Sequence, residues 1–268
     1  MTETEYMAVH DAACAKGETI YTDPDTGFMV FTRLGLLARE KCCGAGCRHC
    51  PFDHEAVVIE KRAKRIQQAA WLTDARPDGT REIALLFWSG GKDSFLAYRA
   101  LVQDQRFEIA LLTTFDARSR IIAHQEFPID VVVEQASKLG TPLIGVPLHP
   151  GGEYLDHIIP ALDLVPDCTH LCFGDLHLEH IRAWREEAFA AHRRTQAMEL
   201  HFPLWKADYG ELLTDLTASG ASCEISAIAA ELPGISVGEP FGADLIARLP
   251  RDADRFGENG EFHTRIIL

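Results

Sequence analysis

Apolar positions follow two regimes along the 268 residues. From Ile83 to Trp88 they run without a break, as a strand covered on both faces requires, and the next stretch reads as a helix from Asp93 to Val102. The same alternation predicts a strand at Ile109–Thr113, a helix at Ile129–Leu139, a strand at Pro142–Val146, a helix at Tyr154–Leu162 and a strand at Leu171–Phe173. Strand and helix in repetition imply right-handed crossovers, hence an α/β fold whose mainly parallel sheet has helices on both faces. Ligands of such sheets lie beyond the carboxyl ends of the strands, so loops at Ser89, Thr114 and Gly174 should share one crevice. The first 51 residues are turn-rich instead. A helix over Glu55–Leu72 and a linker at Thr73–Gly79 then divide the chain into a cysteine-rich module with its connecting helix, 1–75, and an α/β domain, 80–268.

Composition narrows the class. Hydrophobic residues are 47% and charged residues 25%, the balance of an ordered globular protein. A net charge of −14 disfavours a polyanion such as nucleic acid as partner, and the cluster Lys61, Arg62, Lys64 and Arg65 reads as a solvated helix face. No apolar run reaches the ~20 residues of a membrane span. The acidic start with Glu3 and Glu5 is unlike a signal peptide, so a cytoplasmic location is expected. In that reducing compartment eight cysteines point to metal binding or thiol chemistry rather than disulfides.

The first strand runs into Ser89-Gly90-Gly91-Lys92-Asp93-Ser94, and a helix follows. Glycines let the backbone turn tightly and approach a phosphate, the helix-start amides point at it, and the helix dipole favours its charge. Ser89 and Ser94 add hydroxyls, and Lys92 a full positive charge. The spacing differs from G-x-x-x-x-G-K-[ST], the common nucleotide loop. It resembles instead the SGGKDS signature of the PP-loop ATP pyrophosphatases, which cleave ATP between the α and β phosphates. Three later stretches, FGDLHLEHIRAWREE, FPLW and GENGEFHT at Gly257–Thr264, are similar to the diphthine-ammonia ligase family of that superfamily. The likeness runs from about Glu82 to the end; the cysteine-rich extension is outside what those ligases require.

The resemblance implies an adenine nucleotide alpha hydrolase-like fold, ATP and Mg²⁺ as cofactors, and an adenylated carboxylate acceptor that receives ammonia. Among the residues, Ser89 to Ser94 would hold ATP and Thr114 would border the adenine. Lys92, Asp175, Glu261 and His263 would be catalytic, with Asp175 on Mg²⁺ or substrate; His124, Arg182 and Glu258 would contact substrate. Asp175 also reads as the cap of a helix starting near His177. Glu179, Arg182, Glu186 and Arg193 read in part as surface ion pairs. Asn259-Gly260 suggests a hairpin-like turn feeding a last strand that presents Glu261 and His263 on one face.

Cys43, Cys47 and Cys50 are spaced C-x3-C-x2-C, with Cys42 directly before them and His49 and His54 nearby. Three such thiolates suit a site-differentiated [4Fe-4S] cluster; Zn²⁺ would add Cys42, His49 or His54. Two other readings stay open: sulfur insertion into an ATP-activated substrate through that cluster, and a non-catalytic adenine-nucleotide sensor. The oligomeric state is open too, a homodimer included.

Overall fold

The computed structural model describes residues 3–24, 26–229 and 232–268. The N-terminal module comprises α1 (Glu3–Ala15), a small hairpin of β1 (Ile20–Thr22) and β2 (Met29–Phe31), α2 (Arg33–Leu37) and the cysteine loop, ending in the single turn α3 (Ile59–Arg62). Thr32 starts α2 by accepting a hydrogen bond from the Gly35 amide at 3.2 Å.

Where a helix was expected over Glu55–Leu72, only α3 forms, and Ala70–Trp71 is a strand, β3. Arg62 accounts for the change. Its buried guanidinium donates to the carbonyls of Glu55 (2.9 Å), Val57 (3.2 Å) and Trp71 (3.2 Å), which holds the segment in a compact loop instead of a rod.

Then follow β4 (Glu82–Phe87), α4 (Lys92–Gln103), β5 (Phe107–Asp116), α5 (Ile129–Leu139), β6 (Leu143–Leu148), α6 (Tyr154–Ile158) running into a 3₁₀ turn to Leu164, β7 (Cys168–Cys172), α7 (Glu179–Ala191) and β8 (Glu199–His201). The six-stranded sheet is ordered β3-β6-β5-β4-β7-β8, parallel except for β3, which pairs antiparallel with β6. So β3, N-terminal to the expected linker, is an edge strand of the main sheet.

Strand alternation builds the core twice over. Ala84 and Leu86 of β4 face one apolar cluster with Phe95 and Leu96 of α4 and Val132 of α5. Ile83 and Leu85 face the other, with Ile158 of α6, Leu162 and Phe189 of α7. Helices therefore cover both faces, as the unbroken run at Ile83–Trp88 requires.

The chain closes with α8 (Tyr209–Ala218), β9 (Ser222–Ile228), α9 (Ala243–Arg248) and β10 (Phe262–Ile267). Antiparallel β9 and β10 form a separate two-stranded sheet, so the Asn259-Gly260 turn does not join adjacent hairpin strands. Buried Gln135 of α5 ties this sheet to the glycine loop: it donates to the carbonyls of Gly90 (3.0 Å) and Ile266 (2.7 Å) and accepts from the Trp88 indole (2.9 Å). The Ile266 amide also donates to the Gly90 carbonyl.

Candidate active site

The sheet order reverses at β4, its neighbours β5 and β7 being the first strands of the two outward runs, and here the crevice opens. A cavity of about 560 Å³ is lined by Ser89, Asp93, Ser94, Thr114, His124, Asp175, Glu258 and His263 together with Gly174. One part of the wall is apolar, made of Phe87, Leu112, Ile122, Leu148, Tyr154, Phe173 and Trp184; the Phe87 and Phe173 rings stack at 4.5 Å. An annex of about 120 Å³ adjoins it, sharing Asp93, Gln125, Glu258 and His263 and adding Lys92 and Thr264.

The loop has the close-packed geometry an anion cradle needs. Gly90 sits at φ +81°, and a Cβ there would come within 2.8 Å of Val132 and Gln135. Gly174 lets the β7 loop press on the first turn of α4, since its Cβ would lie 2.9 Å from the Asp93 carbonyl oxygen. The Gly91 amide donates to Ser89 Oγ (3.3 Å), Ser94 Oγ to the Gly91 carbonyl (2.9 Å), and the Lys92 amide to Thr264 Oγ1 (3.0 Å). The amides of Asp93 and Ser94, next in the first turn of α4, have no carbonyl one turn earlier within the helix to bond.

Lys92 behaves differently from a free cation at the cavity mouth. Its side chain is 3% exposed, paired with Asp93 Oδ2 at 2.8 Å, and its Nζ lies 5.3 to 5.6 Å from the ring centres of Phe241, Phe256 and Phe262. The Asp93 side chain keeps 28% exposure, yet its Oδ1 is sealed from solvent with no partner among the described residues. Burial pushes this carboxyl above its ordinary range, against the pull of the Lys92 ammonium. Glu258 faces the same space and is pushed up to about 7, first by burial and then by the Asp93 charge. Burial, then His124 and Lys92, hold the His263 imidazole below its ordinary value; the His124 and His263 rings are 5.7 Å apart.

Asp175 caps no helix: α7 starts at Glu179, and Asp175 is instead paired with Arg185 (2.7 and 3.1 Å). Arg185, whose guanidinium lies 4.3 Å from the Phe173 ring centre, lines the cavity. Arg182, three residues earlier, does not; it bonds Glu186 and rests on Phe202 and Trp205. Glu179 likewise pairs outward with Lys206. Glu261 precedes β10 rather than lying on it, and its carboxylate accepts from the backbone amides of Asp254 (2.7 Å) and Asn259 (3.1 Å), fixing the turn that carries Glu258.

Sequence reasoning passed over Arg185, Gln125, Tyr154 and Trp184. Helical spacing cannot tell Arg182 from Arg185 without the phase of α7 against the sheet, but the Trp184-Arg185 pair, an aromatic beside a cation after the third crest, was a usable signal.

Among the described residues no three His, Cys, Asp or Glu side chains group to hold a metal by themselves. In the cysteine loop the thiols form two pairs, Cys43 with Cys47 and Cys42 with Cys50, each 3.8 Å between sulfurs. No helix among the described residues is long and apolar enough to cross a membrane.

Strand order and crevice define an α/β protein of the Rossmann-like kind. Residues 9–56, the cysteine-rich module, match the model of a family of unknown function (DUF5522). Among solved structures the chain is similar to a predicted subunit of tRNA methyltransferase from Methanocaldococcus jannaschii, at 17% identity over 69% of this chain and 96% of that one, with a TM-score of 0.38.

Proposed function

We propose that this protein is an AMP-forming ATP-dependent ligase that adenylates a carboxylate and transfers ammonia to it. One observation carries the reading: the glycine loop, the Gly174-Asp175 crest and the Glu258–His263 segment line a single cavity of about 560 Å³ with an apolar wall and a polar floor. That volume lies within the roughly 300–1,000 Å³ usual for small-molecule sites.

In this reading the adenine lies against the apolar wall, and the first-turn amides of α4 with Ser89 and Ser94 bind the phosphates. A carboxylate oxygen of the acceptor attacks the α-phosphorus; the bond to the α,β-bridging oxygen breaks and pyrophosphate leaves. Ammonia then attacks the acyl carbon, AMP leaves, and the nitrogen loses a proton. Glu258, titrating near 7, is the group suited to accept that proton, and His263, kept neutral by its surroundings, can accept a hydrogen bond beside it. Arg185, fixed by Asp175, gives the crevice a cation of set orientation.

Mg²⁺ suits this floor. Asp93 Oδ1 has no partner among the described residues, and two carboxylates face each other there, an excess of negative charge that a divalent ion would offset. Mg²⁺ is commonly held by one or two carboxylates plus substrate phosphates, so no all-protein cage is required. Asp93 would hold it together with the substrate phosphates, leaving Glu258 to take the proton, and the ion would supply charge neutralisation for the leaving pyrophosphate.

The test is product analysis. With ATP labelled at the α-phosphate, Mg²⁺, ammonium and a panel of acids, AMP, pyrophosphate and amide should form in equal amounts. ADP and phosphate would refute the reading, and tight ATP binding without turnover across the panel would favour a sensor.

A further inference from the structure

We propose that Cys42, Cys43, Cys47 and Cys50 hold one Zn²⁺ in a closed four-thiolate site that fastens the N-terminal module to the edge of the sheet. The inference stands apart from the adenylation reading and uses none of its residues.

Sulfur spacing is the first argument. The pairs Cys43–Cys47 and Cys42–Cys50 are each 3.8 Å apart. Four ligands of one ion at about 2.3 Å form a tetrahedron whose edges are about 3.8 Å. Cysteines on a [4Fe-4S] cluster bind different irons and therefore stand further apart than ligands sharing one ion, so the expected cluster fits this loop poorly. The chain joins the two pairs, since Cys42 and Cys43 are consecutive. As they stand no three of these sulfurs form a metal-holding group among the described residues, so binding has to bring one pair onto the other.

The loop is shaped to aim donors at sulfur. Gly44 and Gly46 adopt φ of +72° and +68°, and a Cβ at Gly44 would sit 2.9 Å from the Ala56 carbonyl oxygen. The Ala45 amide serves Cys43, and the amides of Phe52 and His54 serve Cys50. A Zn²⁺ with four thiolates carries two net negative charges, and Arg39, 3.2 Å from the Cys43 sulfur, offsets part of them. Of the nearby histidines, His49 bonds the Tyr21 hydroxyl at 2.9 Å and stacks on His10, and His54 Nε2 bonds the Cys47 carbonyl at 2.9 Å while its Nδ1 is buried without a partner among the described residues.

The module also needs a staple. Its apolar cluster is Cys42, Cys50 and Val57 with Phe52 against it, too small to hold a loop of this length by burial. The loop reaches the sheet through Gln68, which donates to the Cys50 carbonyl (3.4 Å), and through Arg62, whose bonds run from Glu55 and Val57 to Trp71 of β3.

Full-length protein purified anaerobically from medium containing zinc and iron, without chelator, should carry one Zn²⁺ per chain and lack iron–sulfur absorption. Cys43→Ser and Cys50→Ser should each lose the metal. Should those variants fail to fold, wild-type protein treated with a mercurial thiol reagent should release one Zn²⁺ to a chromogenic chelator, and Co²⁺ exchanged into it should show the intense spectrum of a tetrahedral thiolate site. Iron and sulfide in cluster proportion, four free thiols without metal, or a mass loss marking disulfides would each overturn the proposal.

Discussion

The α/β body and the cysteine module solve the same problem in opposite ways. In the body, two apolar clusters on either side of one sheet position the glycine loop, and residues as large as Trp88 and Phe95 are buried within them. In the module, Phe28 and Met29 are 73% and 75% exposed, and shape comes from polar contacts: Arg48 to Asp23 at 2.6 Å, Arg62 to three carbonyls, and sulfur to sulfur. Packing spreads its support over many residues. The module rests on few groups, each worth a large share of its local stability, so damage to the body should be global and damage to the module local.

The largest effect should come from Lys92→Met. The Asp93 carboxylate would lose the ammonium that three phenylalanine rings hold beside it, lowering stability in denaturant unfolding by about 3–5 kcal/mol and abolishing ATP cleavage. Wild-type stability in that variant would remove the ion pair from the body's account. Next, Leu86→Ala, fully buried in the sheet, should cost about 2–5 kcal/mol of global stability. Val57→Ala should instead leave the global transition almost in place while amide exchange quickens across residues 42–57; equal global losses would erase the contrast between the regions.

Arg185→Ala should raise the KM for ATP about 10–100-fold, roughly 1.4–2.7 kcal/mol, with unfolding changed far less; Arg182→Ala, off the cavity, should leave KM near wild type. The smallest effect concerns pH. Because the Glu258 carboxyl is raised from 4.5 to about 7 in the folded protein, it costs no stability below about 4.5 and a growing amount as pH rises through 7. Glu258→Gln should therefore be more stable than wild type at pH 8 by about 1–2 kcal/mol, yet lose the rise in ligase rate through pH 7. A variant less stable at pH 8 would reverse the sign assigned to this site.

Much of the body was legible because its signals are local. The unbroken run Ile83–Trp88 could only be a doubly covered strand, and Ile129–Leu139 forms over the residues its pattern predicts, with Gly140 at φ +63° ending it. Ser89, Thr114 and Gly174, on three separate strand ends, do line one cavity. What escaped depends on partners distant in sequence. Glu55–Leu72 has helical composition, but Arg62 and the pairing of β3 with β6 override it. Lys92 reads as a free cation until residues 241–262 bring three rings over it. Glu261 reads as a strand residue until the amides of Asp254 and Asn259 claim its carboxylate.

A crystal of the protein with Mg²⁺ and an ATP analogue whose α,β-bridging oxygen is replaced by methylene tests the assignment of the crevice most directly. Phosphates should lie against the amides of Asp93 and Ser94, with the base beside Phe87 and Phe173. An analogue bound elsewhere, or a glycine loop without phosphate at saturating concentration, would contradict that assignment.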